Sequence, residues 1–387
     1  MGRVTPLAVV ALLVGALVVP VAGAGLAVDP QPVLEGAPRV LPAGPSPASG
    51  VETADPGVGP ALAADTASLD SQFVTLVAAE RLESADDSAE RRQVARDAIE
   101  RVADRLDRLR AAERRAYRGH ANGSLSEEDV LIRLARVQAA TGPLNATFAR
   151  VRDRGDLPAT LARRLATVSA EHRTLLGPVR ARVLGALRGN RGEVRVFVQS
   201  SGTGVVLATV DGGTYRREAF RADNRDIDVS SEFDGLLELI SHLNSLYPWI
   251  ADNTRGFDAR NADIDTSGVH SITRSHGLGQ TRVAIDGSTR EVFREIHRLD
   301  TERMPTREPV NATNASVRVT VARTYAGGPM RVRVVEDGSP AGATRVFVNG
   351  TPVGKTGSDG VLWTLTPAGE FTVTAGGATP ATVRVGG

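Results

Sequence analysis

The sequence predicts a multidomain α+β protein, in which an antiparallel helical bundle is followed by an α+β domain with an internal repeat and then by a β-sandwich. Three observations predict this order. Residues 66–190 carry apolar side chains at three- and four-residue spacing, which is typical of amphipathic helices. Two look-alike segments, 200–214 and 275–289, then share Gly-x-Gly and Asp-Gly steps. Residues 317–387 alternate short apolar strands with turn residues.

Composition excludes several classes of function. The chain has 387 residues, a net charge of +1 and no cysteine, so it has no disulfides, thiolate metal sites or cysteine nucleophile. Near-neutral charge gives no support for a nucleic-acid partner. Lys355 is the single lysine among 46 basic residues, and this arginine bias is typical of a GC-rich genome such as that of a haloarchaeon or an actinomycete.

The first 28 residues are predicted to be a signal peptide or an uncleaved anchor. Arg3 precedes the uncharged stretch 4–28, and Ala22-Gly23-Ala24 is a small-residue cleavage site. Either alternative exports the rest of the chain, and membrane contact is expected only through such an anchor. Residues 29–65 are rich in proline and lack periodicity, which predicts a semi-rigid extended linker.

The region 66–190 is predicted to form an antiparallel bundle. Asp87 with Glu90, and Ser126 with Asp129, have the spacing of helix N-terminal caps. The Gly-Pro steps at 142–143 and 177–178 are expected to interrupt helices. Short connections favour a self-contained bundle, and a coiled coil that recruits a partner is the alternative.

The region 193–300 is predicted to have a βββ-α-βββ order. In each look-alike segment, apolar strands flank the Gly-x-Gly step, and a third strand follows the Asp-Gly step. Between the two segments, residues 233–249 have leucines at helical spacing. The unit therefore reads as a sheet covered by one helix.

Residues 301–316 are predicted to be a second linker, before the sandwich at 317–387. Within the sandwich, Asp337-Gly338, Asn349-Gly350 and Asp359-Gly360 punctuate strands of regular length. This pattern is typical of an Ig-like β-sandwich.

Parts of the chain resemble known families. Residues 283–292, VAIDGSTREV, resemble the V-x-V-D-x-x-T-G-E-V ending of PepSY-type domains, with Arg290 at the position of the family glycine. That resemblance implies a helix on antiparallel strands and an association with peptidase regulation and envelope binding, without a catalytic residue. Residues 346–350, 357–360 and 369–373 resemble the carboxypeptidase regulatory-like, transthyretin-type sandwich, which is not an enzyme. The layout resembles uncharacterised exported haloarchaeal proteins.

Candidate ligand and modification sites are few. Asn261, Asp263 and Asp265 place oxygen ligands at alternate positions, as a Ca²⁺ loop would, but Ile272 stands where such a loop needs a glutamate, which favours a solvated loop. Five asparagines lie in glycosylation sequons, and the pair in the second linker is the strongest: Asn122, Asn145, Asn311, Asn314 and Asn349.

No catalytic or cofactor motif is found in the sequence. We therefore expect an exported, non-catalytic cell-envelope binding or scaffolding protein with a protein or envelope partner and no cofactor. A regulator or inhibitor of secreted peptidases, acting through the PepSY-like domain, is the alternative. An unrecognised extracellular hydrolase is the second alternative.

Overall fold

The computed structural model describes residues 33–155, 157–226, 231–254 and 268–386, and the backbone of residues 262–264. The predicted signal peptide or anchor lies outside the described residues. So do Asn261 and Asp265 and the side chain of Asp263, which together form the Ca²⁺ candidate.

Helices dominate the first half of the chain. Their starts follow local chemistry, because the Asp87 carboxylate accepts from the Glu90 backbone N–H and Ser126 forms the predicted capping box with Asp129. The Gly-Pro steps also act as predicted: residues Gly142–Leu144 form a short 3₁₀ turn, and Gly177 precedes a helix that begins at Pro178. The helices are α1 Val58–Ser84, α2 Ser88–Ala121, α3 Glu127–Thr141, α4 Asn145–Arg154, α5 Ala159–Thr174, α6 Pro178–Leu187, α7 Leu236–Leu246 and α8 Pro248–Asn253.

An antiparallel eight-stranded sheet forms the middle of the protein. Its order is β1-β2-β3-β4-β8-β7-β6-β5, so two meanders meet where β4 pairs with β8. The strands are β1 Ala48–Ala54, β2 Val194–Ser200, β3 Gly204–Asp211, β4 Thr214–Arg221, β5 Ala262–Ile264, β6 Val269–His276, β7 Gly279–Asp286 and β8 Val292–Asp300.

Helices cover both faces of this sheet. On one face, Val196 of β2 and Leu207 of β3 share a core with Tyr117 of α2, Leu131 of α3 and Val183 of α6. We call this the bundle face. On the opposite face, which we call the α7 face, Leu239 and Leu243 pack on β3, β4, β6 and β7. The helical region and the sheet are therefore not separate bodies, because they share a hydrophobic core.

The prediction of a linker at residues 29–65 is wrong over much of that range. Residues 48–54 form the edge strand β1, which pairs with β2 along seven residues, and α1 begins at Val58. Upstream, Leu41 and Ala43 are buried in the core of the α7 face, and the Leu41 N–H donates to the Glu295 carboxylate (3.0 Å). Proline-rich sequence can lie along a sheet when side chains elsewhere in the chain satisfy its backbone groups.

The C-terminal part is a β-sandwich. One sheet has the order β12-β11-β10-β9 with β15 also paired to β11, and the other has the order β14-β13-β16-β17. Asp337-Gly338 and Asn349-Gly350 take left-handed φ at both turn residues, which is the backbone of the predicted hairpin turns. The strands are β9 Val310–Asn314, β10 Val317–Arg323, β11 Pro329–Glu336, β12 Ser339–Pro340, β13 Arg345–Val348, β14 Thr351–Lys355, β15 Val361–Leu365, β16 Phe371–Ala375 and β17 Ala381–Val385.

The second predicted linker is also largely structured. Residues Thr301–Arg303 form a 3₁₀ turn, and β9 (Val310–Asn314) is a sandwich strand paired with β10. The sandwich packs directly on the sheet. The Tyr215 hydroxyl of β4 donates a hydrogen bond to the backbone carbonyl of Gly327 in the sandwich (3.1 Å). Leu365 of the sandwich shares a core with Phe197 of β2.

Candidate anion-binding site

A cavity of about 280 Å³ lies on the bundle face, between the α5–α6 connection and strands β6, β7 and β8. Gly177 precedes α6, which begins at Pro178, and Leu176 and Pro178 form one wall of the cavity. The opposite wall comes from the strands, with Val269 and Ala284 at its apolar end. The connection between α5 and α6 thus closes one side of the cavity, and strands β6, β7 and β8 close the other.

Arg294 of β8 lines this cavity and is buried, with 4% of its surface exposed. Its Nη2 donates to the Leu176 carbonyl, but its Nε and Nη1 have no hydrogen-bond partner among the described residues. Burial, followed by the nearby charge of Arg180, lowers the pKa of Arg294 to about 10. A buried cation with two unused donors is unfavourable unless an anion completes it.

Further arginines surround the entrance. Arg173 of α5, Arg282 of β7 and Arg298 of β8 line the same cavity, and the described lining residues include no aspartate or glutamate. Arg298 is also the direct cross-strand partner of Arg216 of β4. Burial, then the charge of Arg298, lowers the pKa of Arg216. Like charges placed opposite each other destabilise a sheet. The Arg216–Arg298 pair therefore lowers the stability of the sheet and makes the electrostatic potential beside the cavity more positive.

The nearest buried carboxylates are already engaged. Arg180 of α6 lies 2.7 Å from Glu113 of α2 and 2.7 Å from Glu218 of β4. Glu218 also accepts from the Val179 backbone N–H at 3.0 Å. This ion triad joins α2 and α6 to the sheet. Because the carboxylates of Glu113 and Glu218 pair with Arg180, they do not accept hydrogen bonds from Arg294.

A second buried polar group lies on the α7 face and has the composition of a hydrolytic triad. Thr281 Oγ1 is 2.9 Å from His297 Nδ1, and His297 Nε2 is 2.8 Å from Glu295 Oε1, although that second contact is not aligned as a hydrogen bond. On its other side, Thr281 contacts His276 Nε2 at 3.0 Å. These four side chains are at most 6% exposed.

The contacts of this group indicate a structural role. The cavity beside Thr281 has a volume of about 10 Å³, roughly the space for one water and too small for a substrate. Glu295 instead accepts from Tyr247 Oη (2.6 Å), Arg217 Nη1 (2.6 Å) and the Leu41 N–H. Burial alone would raise the pKa of Glu295, but the charges of His297 and Arg217 hold it below its usual value. The group therefore anchors residues around Leu41 and α7 to the sheet.

The five sequon asparagines are all exposed in the structure. They lie in different settings: Asn122 caps α2, Asn145 begins α4, and Asn311 and Asn314 lie on strand β9 rather than in a linker. Exposure is compatible with glycosylation, which stays a prediction.

Within the described residues, no group of three or more His, Asp or Glu side chains is arranged to hold a metal ion. Over the same residues, no helix combines the length and apolar character that a membrane crossing requires.

Sequence reasoning missed Arg294 and Arg298. The available signal was strand β8, which reads VFREIHRLD and places ionisable side chains on both faces of a strand in the middle of a sheet. Because charged residues are rarely buried without a partner, such a strand indicates polar sites on both sides.

Three family models match consecutive parts of the chain. Residues 1–192 match a domain of unknown function (DUF7096), and residues 196–305 match a family of unknown function (DUF7094). Residues 308–384 match an archaeal fibronectin-III type-like domain. The chain is thus an archaeal-type multidomain protein that ends in a fibronectin-III-like β-sandwich. This match agrees with the Ig-like prediction and names a different module from the transthyretin type.

No curated protein matches this sequence. Among solved structures, gamma-CGTase from alkalophilic Bacillus clarkii is similar at 13% identity and a TM-score of 0.16. The match covers 55% of this chain and 27% of that chain. A likeness at this TM-score carries no argument about fold or function.

Proposed function

We propose that this chain is an exported, non-catalytic binding protein of the cell envelope, and that its ligand carries a carboxylate or phosphate group. One observation carries the proposal. Arg294 is buried in the wall of a cavity, and its Nε and Nη1 lack partners among the described residues.

The chemistry of the cavity selects the ligand class. A guanidinium presents its donors as a planar fork that matches two oxygens of a carboxylate or phosphate. Ala170, Val269, Ala284 and Ile296 add an apolar lining that suits a short aliphatic body. About 280 Å³ lies just below the usual range of small-molecule sites, so the ligand would be compact or would enter by one end.

The same lining favours binding over catalysis. The ionisable side chains among the described lining residues are arginines, which remain protonated and cannot act as a general base at neutral pH. Hydrolysis at this site would need a nucleophile and a base, and among the described lining residues hydroxyls are present on Thr174 and Ser271 alone. The hydrolase alternative therefore has the least support.

Export and glycosylation remain part of the proposal. They rest on the composition of residues 1–28 and on the exposure of the sequon asparagines. We also infer that the two meanders, β2–β4 and β6–β8, descend from a duplicated PepSY-like unit, since the look-alike segments occupy equivalent strands in each.

Peptidase regulation is a second candidate, and one observation favours it. Val283 and Ala284 of the PepSY-like motif lie in the cavity wall beside Arg294. Under this candidate, the anion is the C-terminal carboxylate of a bound peptide.

The test uses thermal melting and calorimetric titration of the folded chain with acetate, hexanoate, phosphate, sulfate and a short peptide. One of these anions should raise the melting temperature of the wild type, with about 2.7 kcal/mol gained at a hundredfold excess over Kd. Arg294→Met should abolish this gain. Without ligand, Arg294→Met should be as stable as the wild type, or more stable by about 1–3 kcal/mol, because it removes an incompletely paired buried charge.

Arg384→Met is the matched control, because Arg384 is 79% exposed on the sandwich and pairs with Glu370. It should leave anion binding unchanged. The proposal fails if no anion stabilises the wild type, or if Arg294→Met unfolds the chain while Arg294→Lys does not restore binding. Inhibition of a secreted peptidase by the wild type, but not by Arg294→Met, would favour the second candidate.

A further inference from the structure

Helix α1 exposes a row of large apolar side chains. Leu62, Leu69, Phe73 and Leu76 are each at least 61% exposed, and with Thr66 they recur at alternating spacings of four and three residues. This is the a/d spacing of a helix that packs against another helix through a narrow seam. The opposite side of α1, which includes Ala64, Ala78 and Leu82, is buried in the protein core, so the exposed row is not used for folding.

A groove of about 680 Å³ runs beside this row, between α1, α2 and α3. Leu62 and Thr66 are the members of the row that line it, and they share its α1 wall with Gly59, Ala63, Ala67 and Asp70. Five arginines line its other walls: Arg105, Arg108 and Arg115 of α2, and Arg133 and Arg136 of α3. Asp70 is the one acidic residue among the described lining residues, and it lies 4.0 Å from Arg105. The groove is therefore apolar on one side and strongly cationic on the other.

We propose that this surface, the α1 groove, binds an acidic amphipathic helix of a partner protein. Apolar side chains of the partner would pack along Leu62, Leu69, Phe73 and Leu76, while its carboxylates would face the arginines of α2 and α3. The row runs from Leu62 to Leu76, so the complementary helix would be about 21 Å long, or four turns.

Charge decides against two other occupants. The chain's own residues 1–32 are apolar, but they contain one acidic residue, Asp29, and cannot neutralise several arginines. A second copy of the chain bound through the same surface would place arginine rows against each other, which is repulsive.

The shape and flanks of the row decide against a membrane. A helix that lies in a bilayer surface has a wide apolar face flanked by cations. Here the row is narrow, and Asp65 and Asp70, which are 52% and 63% exposed, flank it. These carboxylates would be repelled by anionic lipids.

The experiment measures binding of a labelled synthetic peptide to the full chain by fluorescence anisotropy. The peptide is a two-heptad helix of about four turns, with leucine at a and d positions and glutamate on its flanks. A second peptide, identical except that lysine replaces each glutamate, is the matched control. The glutamate peptide should bind, and the lysine peptide should bind at least about tenfold more weakly because its charges face arginine.

Variants locate the site. Arg133→Ser/Arg136→Ser should weaken binding of the glutamate peptide about tenfold, and Leu69→Gln/Phe73→Gln should weaken it at least as much. These residues are exposed, so the circular-dichroism spectrum and the melting temperature should not change. Leu237→Gln, on an 83% exposed leucine of α7, is the control and should bind as the wild type does.

Arg294→Met should also bind the peptide normally, so this proposal and the anion site fail independently. Equal binding of the two peptides, or no loss in either double variant, would overturn the proposal. So would binding to vesicles of phosphatidylglycerol without binding of the glutamate peptide, because that result would assign the surface to lipid.

Discussion

Arg290 has a left-handed backbone, with φ of +61°, at the position where the PepSY-type pattern has glycine. A side chain in this conformation costs about 1 kcal/mol. Three contacts offset that cost: the guanidinium lies 4.5 Å from the centre of the Phe233 ring, Nη2 pairs with Glu238 at 2.6 Å, and the backbone carbonyl is 2.6 Å from His242 Nε2. The left-handed residue in this turn of the second meander is thus Arg290, and not the glycine of the Asp286-Gly287 step.

At the same scale, the burial of His276 predicts that the stability of the protein depends on pH. Burial, followed by the charge of His297, lowers the pKa of His276 from 6.5 to about 4 in the folded protein. The unfolded chain therefore binds more protons between about pH 6.5 and 4, and stability falls as the pH drops through that window. His276 should contribute at most about 3 kcal/mol to this loss.

Denaturant unfolding of the wild type and His276→Gln at pH 7.5, 6, 5 and 4 measures this contribution. The variant should lose less stability between pH 7.5 and 4 than the wild type. Leu237→Gln, on an exposed residue of α7 that does not titrate, is the control and should leave the slope unchanged. Parallel curves for the wild type and His276→Gln would show that His276 is not the group that takes up protons.

At the scale of elements, the first and second glycines differ in the same way in both Gly-x-Gly turns. In each turn, the second glycine is the first residue of a strand and lies close to the backbone of a neighbouring strand. A Cβ on Gly204 would lie 2.4 Å from the Phe220 carbonyl oxygen, and one on Gly279 would lie 2.2 Å from the Arg298 carbonyl oxygen. Gly279 also has a φ of +141°. The first glycines, Gly202 and Gly277, have open space where a Cβ would be. The Gly-x-Gly pattern thus indicates close contact with neighbouring backbone at its second glycine and not at its first.

This division makes a paired prediction. Gly204→Ala and Gly279→Ala should each lower the free energy of unfolding by about 2–4 kcal/mol, since backbone must move to admit the methyl group. Gly202→Ala and Gly277→Ala should stay within about 0.5 kcal/mol of the wild type. Chemical denaturation of the four variants measures this, and equal losses at both glycines of a turn would contradict it.

At the scale of the whole molecule, shared cores join the three regions. The bundle shares one with the sheet, and the sandwich shares another with the sheet around Phe197, Tyr215 and Leu365. The sandwich also has a core of its own, which includes Val332 and Phe371. It can therefore remain folded when its contact with the sheet is weakened.

Phe197 tests that coupling. It is 1% exposed on β2, and Gly327 of the sandwich approaches it so closely that a Cβ there would be 2.5 Å from its ring. Phe197→Ala should cost about 3–5 kcal/mol and split calorimetric unfolding into two transitions, the later one belonging to the sandwich. Phe371→Ala, inside the sandwich core, should lower that later transition instead. A single transition for Phe197→Ala would show that the sandwich does not fold without the sheet.

Local structure follows from neighbouring residues and could be predicted before the fold was known. Apolar spacing predicted the helices of 66–190, and alternation with Asn-Gly and Asp-Gly steps predicted the sandwich strands and hairpins, because period and turn chemistry are properties of neighbouring residues. For the same reason, a low-charge, proline-rich stretch without a period was interpreted as a linker. Its strand β1 has no local signal of its own, since it is defined by the backbone of β2, which it pairs with.

The positions of the ionisable residues relative to each other depend on the packing of distant elements. Glu113, Arg180 and Glu218 form one ion triad although they come from α2, α6 and β4, and their pairing leaves Arg294 without a carboxylate. Spacing along the chain does not encode such a site, because it depends on how the bundle rests on the sheet. The cavity beside Arg294 lies where Pro178 and Ala181 of α6 face strands β7 and β8, while the Arg180–Glu218 pair joins α6 to β4.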